Sequence, residues 1–290
     1  MRLRIFFVLV LVFVLPLLAV NAYADAFLAT AGNFAVLGGS TVTNTLTPFT
    51  NLTGDLGVWP GTAITNQGEI NVNGTTAIAN PAVHATDAVA MQAQSDATTA
   101  YNALTALTPA GGPLGDNLTS QVVGVGVYDL GAALLDSGGV LTLNFAGASN
   151  ANIVFRTAST LTTGSGSSVV IENANSTDNV FWQIGSSATL GTTTAFAGNI
   201  IALTSVTLDT GATDLCGSVI ARNGAVTMDQ NTISNTCQFT GGEMIGGGTG
   251  GGPGVPGGGG GSGGTVPEPG TLALLSSGLA IGLLKLRKLR

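Results

Sequence analysis

Three stretches decide the reading of this chain: Val180-Phe-Trp-Gln-Ile-Gly-Ser-Ser-Ala-Thr-Leu-Gly-Thr-Thr-Thr194, Ile201-Ala-Leu-Thr-Ser-Val-Thr-Leu-Asp-Thr-Gly-Ala-Thr213 and Ile220-Ala-Arg-Asn-Gly-Ala-Val-Thr-Met-Asp-Gln-Asn-Thr232. Each contains a small or apolar residue, a Thr and a large apolar residue: Ala188-Thr189-Leu190, Val206-Thr207-Leu208 and Val226-Thr227-Met228. The pattern recurs upstream at Ser159-Thr160-Leu161 and Leu141-Thr142-Leu143. The central threonines recur at a nearly even spacing, with one longer step between Thr160 and Thr189. That spacing, about 20 residues, suits one coil of a β-solenoid. Neighbours on a strand point to opposite faces, so an inward Val206 and Leu208 send Thr207 outward. The spacing therefore predicts an outward column of Thr142, Thr160, Thr189, Thr207 and Thr227, about 4.8 Å apart. The longer step reads as one coil enlarged by the polar run from Glu172 to Asn179.

The rest of the composition agrees. The chain of 290 residues has 44 Gly and only 8% charged residues, which suits tight coils and short turns. Six of its eight basic residues are terminal: Arg2, Arg4, Lys285, Arg287, Lys288 and Arg290. Between residues 25 and 265 Arg156 and Arg222 face 14 acidic residues, a net charge of −12. Nucleic acid needs clustered Lys and Arg, so it is excluded as a partner. The same charge disfavours an anionic polysaccharide.

The termini read as targeting segments. Residues 1–24 have a basic start, an apolar stretch from Ile5 to Val20 and the small-x-small site Ala22-Tyr23-Ala24, as in a signal peptide. Residues 241–265 form a Gly-rich linker. Residues 266–290 join Pro267-Glu268-Pro269 to a short apolar run, Leu272 to Leu284, and a basic tail. The run is short for a stable membrane span. This arrangement resembles the PEP-CTERM sorting signal of Gram-negative bacteria. The resemblance implies an exosortase-type processing enzyme as a partner and export to the cell surface or beyond. Membrane contact is then transient, through the terminal segments.

Between the termini lies one domain, residues 25–240. Residues 82–107 lack Gly, and Val89, Ala93, Ala97, Ala100, Leu104 and Leu107 are spaced by three or four. That predicts one long helix with a small-residue face against the solenoid, with His84 in its first turn. Cys216 and Cys237 lie at nearly equal offsets after Thr207 and Thr227. Nearly equivalent places on successive coils are within disulfide reach, so a Cys216–Cys237 bridge is expected.

Chemistry for catalysis is missing. One His leaves no partnered Ser-His-Asp triad, no Cys/His metal cluster is present, and no Lys-bearing phosphate loop occurs. Asp209 and Asp229 take corresponding places on neighbouring coils and could form a carboxylate pair, although turn formation explains them more simply. No cofactor, metal or enzymatic activity is expected.

Phe34-Ala-Val-Leu-Gly-Gly-Ser-Thr-Val-Thr-Asn44, Gly54-Asp-Leu-Gly-Val58, Pro60-Gly-Thr-Ala-Ile-Thr65, Phe196-Ala-Gly-Asn-Ile200 and the repeats above resemble the microbial ice-binding protein family over residues 27–237. The resemblance implies a discontinuous right-handed parallel β-helix, an all-β solenoid with one long α-helix alongside. It also implies an ice crystal surface as partner. A structural or adhesive protein of an exopolysaccharide matrix is the alternative. Thr suits ice because its methyl favours leaving liquid water while its hydroxyl orders surface water. A second candidate column is Thr192, Thr194, Thr210, Thr213 and Thr232. Some family members carry Thr-(Ala or Gly)-x-(Thr or Asn) on the ice face. Thr62-Ala-Ile-Thr65, Thr157-Ala-Ser-Thr160 and Thr210-Gly-Ala-Thr213 match that pattern, which adds Thr62 and Thr65 and leaves two columns open.

Overall fold

In a computed structural model, residues 27–45, 49–237, 239–240 and 243–244 are described. The readings on residues 1–24, on most of 241–265 and on 266–290 fall outside them. The described chain is a three-faced parallel β-helix with one α-helix along one face.

Eight strands form the helix-side face. In spatial order they are Gly126–Leu130, Asn152–Thr157, Asn179–Ile184, Asn199–Ala202, Val219–Ala221, Phe34–Gly38, Asp55–Val58 and Val83–Ala85. The order is discontinuous in sequence. Val36 pairs with Val219 and Leu37 with Ile220, so the first coil stacks on one made near the end of the domain. After Val83–Ala85, the helix Ala88–Ala106 returns the chain to the other end. Its 19 residues span roughly 28 Å at 1.5 Å per residue. Seven steps between eight stacked strands come to about 34 Å, so one helix nearly matches the stack.

Burial on both sides explains the apolar runs on this face. The strand Phe34–Gly38 is buried at every position, as expected where a sheet is covered on both faces. Phe34, Leu37, Val154, Phe181, Ile201 and Ile220 receive Ala93, Ala97, Ala100 and Leu104 of the helix. Three alanines let the helix backbone approach closely. Inside the coils Tyr128, Phe155 and Trp182 occupy paired positions. Their rings stack with centroids 5.7 Å and 4.2 Å apart.

The structure corrects three details of the reading. The helix begins at Ala88, after Asp87 accepts a 2.8 Å hydrogen bond from the Ala90 amide. Val83–Ala85, with His84, is instead the last strand of the helix-side face, its backbone paired with Leu56–Val58. Val89, expected on the buried face of the helix, is exposed. There is also no single enlarged coil. Gly126 pairs with Ile153 and Ile153 with Val180, so two successive coils are enlarged alike. The following pairings, Phe181 with Asn199 and Ile200 with Val219, bring the coils back to the shorter period. The extra residues lie at one corner, after Asn144 and after Glu172. The expected Cys216–Cys237 disulfide is present.

Candidate functional site: the threonine face

The second face has seven strands: Ala133–Leu135, Leu161–Thr163, Ala188–Leu190, Val206–Leu208, Val226–Met228, Thr41–Asn44 and Ala63–Thr65. Here burial alternates. Each of the triplets at 188, 206 and 226 is buried, half-buried, buried. Val206, Leu208, Val226 and Met228 point into the core, so the Thr between each pair faces out.

Register makes these residues a straight file. Leu134 pairs with Thr162, Thr162 with Thr189, Thr189 with Thr207 and Thr207 with Thr227. Thr227 pairs with Thr43, and Thr43 with Thr65. Six threonines therefore stand one per tier, closed at one end by Leu134. Two residues before each of these threonines runs a second file: Thr160, Ser187, Ser205 and Ala225, each just ahead of its strand, and Thr41 and Ala63, which open theirs. Main-chain bonds from Leu161 to Ser187, Ala188 to Ser205 and Val206 to Ala225 link its tiers, and Thr41 pairs with Ala63. The files lie about 6.6 Å apart, two residues along a strand. Neither contains a charged residue. Asp209 and Asp229 follow Thr207 and Thr227 by two residues and border one edge. Asp229 accepts a hydrogen bond from the Thr210 hydroxyl.

The sequence-derived candidates are thus sorted. Thr189, Thr207, Thr227 and Thr65 belong to the first file, and Thr160 to the second. Thr142 does not share their face: it pairs with Val122 and Val170 on the third face. Its step to Thr160 is much shorter than the enlarged coils at that end, so the two cannot be equivalent. Thr194 is fully buried. Its hydroxyl bonds those of Thr163 at 2.9 Å and Ser167 at 3.3 Å, and donates to the Gly164 carbonyl. It satisfies polar atoms inside a corner and presents nothing to a surface. Thr192 and Thr210 lie in turns, and Thr62 is exposed just before its strand. Thr213 and Thr232 pair on the third face, in a file with Ala195, Asn51 and Asn71. The Thr-(Ala or Gly)-x-(Thr or Asn) matches therefore fall on different faces and define none.

Sequence reasoning does not find Thr43, Thr41 or Thr162. Thr41-Val42-Thr43 has the right alternation around a buried Val42. It escapes because it stacks on a later segment, which a forward repeat search cannot align. At Leu161 the triplet pattern selects Thr160, whereas Thr162 carries the main file.

The third face carries a buried carboxylic acid. Asp214 is fully buried, its Oδ1 accepts from the Cys216 amide at 3.4 Å, and its Oδ2 makes no hydrogen bond among the described residues. Burial pushes its carboxyl up to about 8.

Comparison with known proteins agrees with this geometry. The Ice-binding-like family profile matches residues 36–234, and the PEP-CTERM protein-sorting motif matches residues 265–290. An ice-binding protein of Nostoc sp. (strain HG1) is 44% identical over 269 residues, covering 92% of this chain and 89% of that protein. Two crystal structures align with a TM-score of 0.60. One is an ice-binding protein from an Antarctic biological consortium, 42% identical over 71% of this chain and 89% of that one. The other is from the Antarctic ascomycete Antarctomyces psychrotrophicus, 36% identical over 71% and 96%. With well over half of its length matched by the profile and a relative this similar along most of the chain, the protein belongs to the Ice-binding-like family.

Proposed function

We propose that this protein adsorbs to ice through the threonine face. The observation that carries the reading is the register itself. Six threonines stand one per tier beside a second file of small residues, on strands whose inner side chains are locked in the core. Ice offers an extended, uncharged, regular array of water. Each methyl contributes little, so many must meet the crystal together, which requires a stiff surface. Parallel hydrogen bonding between tiers supplies that stiffness.

The third face supports the role less well. Its strands shorten to two residues at Ala195–Phe196 and Thr213–Asp214, and its outward file mixes Ala, Thr and Asn. The protein acts by adsorption and not by catalysis. The sorting motif supports delivery to the cell exterior, with removal of the tail by an exosortase-type enzyme.

Ice-affinity partition tests this. A growing ice hemisphere should incorporate the full chain and exclude serum albumin mixed with it. A folded chain left in the liquid fraction with the albumin would end the proposal.

A further inference from the structure

Beside the threonine face, and sharing no residue with it, the molecule has a recess of about 550 Å³. It lies between the C-terminal half of the helix and the helix-side face, and the corner residues Ala158 and Gly185 close one side. Its volume is that of a small-molecule site. We propose that this recess binds a short segment of an uncharged glycan.

The charges inside it are already matched. The Arg156 side chain is 11% exposed, and its Nε and Nη2 bond Asp129 Oδ1 at 2.7 and 2.6 Å. Its Nη1 donates to the carbonyls of Leu104, Thr105 and Leu107, at 3.0, 2.8 and 2.7 Å. A guanidinium held by a carboxylate and a helix C-terminus has little attraction left for an anion. The acidic domain around it repels one.

What the recess leaves unused are acceptors. Gln183 is 7% exposed. Its Nε2 donates to Thr105 Oγ1 at 3.1 Å, which fixes the amide, while its Oε1 receives no hydrogen bond among the described residues. Asp129 Oδ2 receives none among them either. The recess therefore favours a ligand that brings hydrogen-bond donors and no negative charge, which the hydroxyls of a neutral sugar supply. The other walls are Leu130 and the Tyr101 ring, whose position is held by Arg222 4.5 Å from its centroid. Apolar walls meeting fixed planar acceptors match a sugar ring, which has C–H faces and hydroxyl edges.

The test is titration of the full chain with cellotriose, mannotriose, galactotriose and tri-N-acetylchitotriose, and with trigalacturonate as the anionic counterpart. Calorimetry and saturation-transfer NMR give the readout. At least one neutral trisaccharide should bind with a dissociation constant on the order of 1 mM. Ala158→Trp fills the recess from an exposed rim position, and Gln183→Leu removes the acceptor. Each should weaken binding about tenfold or more, with an unchanged circular dichroism spectrum. Ala158→Trp should still partition into ice, since ice adsorption uses the other surface. The proposal is overturned if no neutral trisaccharide binds at about 10 mM. Equal binding by folded Ala158→Trp, or preference for trigalacturonate, overturns it as well.

Discussion

Thr207→Tyr places a ring in the middle of the threonine face, at the fourth of seven tiers. Six steps between tiers make the face about 29 Å tall, and two files with their margins make it about 10 Å wide. At about 25 cal/mol per Å², roughly 290 Å² gives at most about 7 kcal/mol on full contact with ice. The Tyr ring stands well above the neighbouring hydroxyls. A rigid plane can then rest on only one side of it, which removes about half the contact, or about 3.5 kcal/mol. That corresponds to a loss of a few hundredfold in adsorption. The assay is the lowest concentration that arrests ice recrystallisation, with circular dichroism to establish folding. The endpoint should rise by about two orders of magnitude. Thr213→Tyr, on the third face, should leave it unchanged. A folded Thr207→Tyr protein within about twofold of the parent would refute the face assignment. Loss in Thr213→Tyr alone would move the activity to the third face.

Further predictions concern what keeps the face stiff. Asp214 has a carboxyl at about 8 in the fold against an ordinary 3.8. The unfolded chain therefore gives up this proton first, and Asp214 makes stability fall as pH rises from about 4 to about 8, by up to about 1.4 kcal/mol per unit. Asp214→Asn, neutral throughout, should show a flatter melting temperature across that window and a gain over the parent at pH 8; a steep slope persisting in the variant would contradict this. Replacing Cys216 and Cys237 by Ser opens a loop with a sequence separation of 21 and should cost about 3 kcal/mol in denaturant unfolding. Gly61→Ala would put its methyl carbon 1.7 Å from the Ser40 carbonyl oxygen. The overlap is with backbone, so the strand Ala63–Thr65 should shift or melt, with a loss above about 2 kcal/mol and faster amide exchange at Thr65.

The residues of this chain state their own directions. Val206-Thr207-Leu208 alternates, so its Thr must face out once the strand is granted, while Phe34-Ala35-Val36-Leu37 does not alternate and so announces a strand covered on both sides. The helix is legible from its spacing, and the disulfide from the offsets of Cys216 and Cys237. Each of these depends on chain neighbours or on a repeat that runs forward. Tertiary structure decided which threonines share a face. Thr142 and Thr160 look like consecutive members of one column, but the enlarged coils at that end place them on different faces. Thr194 looks like its neighbour Thr192, yet it turns inward to bond Thr163 and Ser167. Thr43 and Thr65 complete the file only because the helix carries the chain back along the stack, so that late coils assemble beneath early ones. Side-chain direction follows from local alternation, whereas membership of a surface depends on coil size and stacking order, which are fixed by pairings between distant segments.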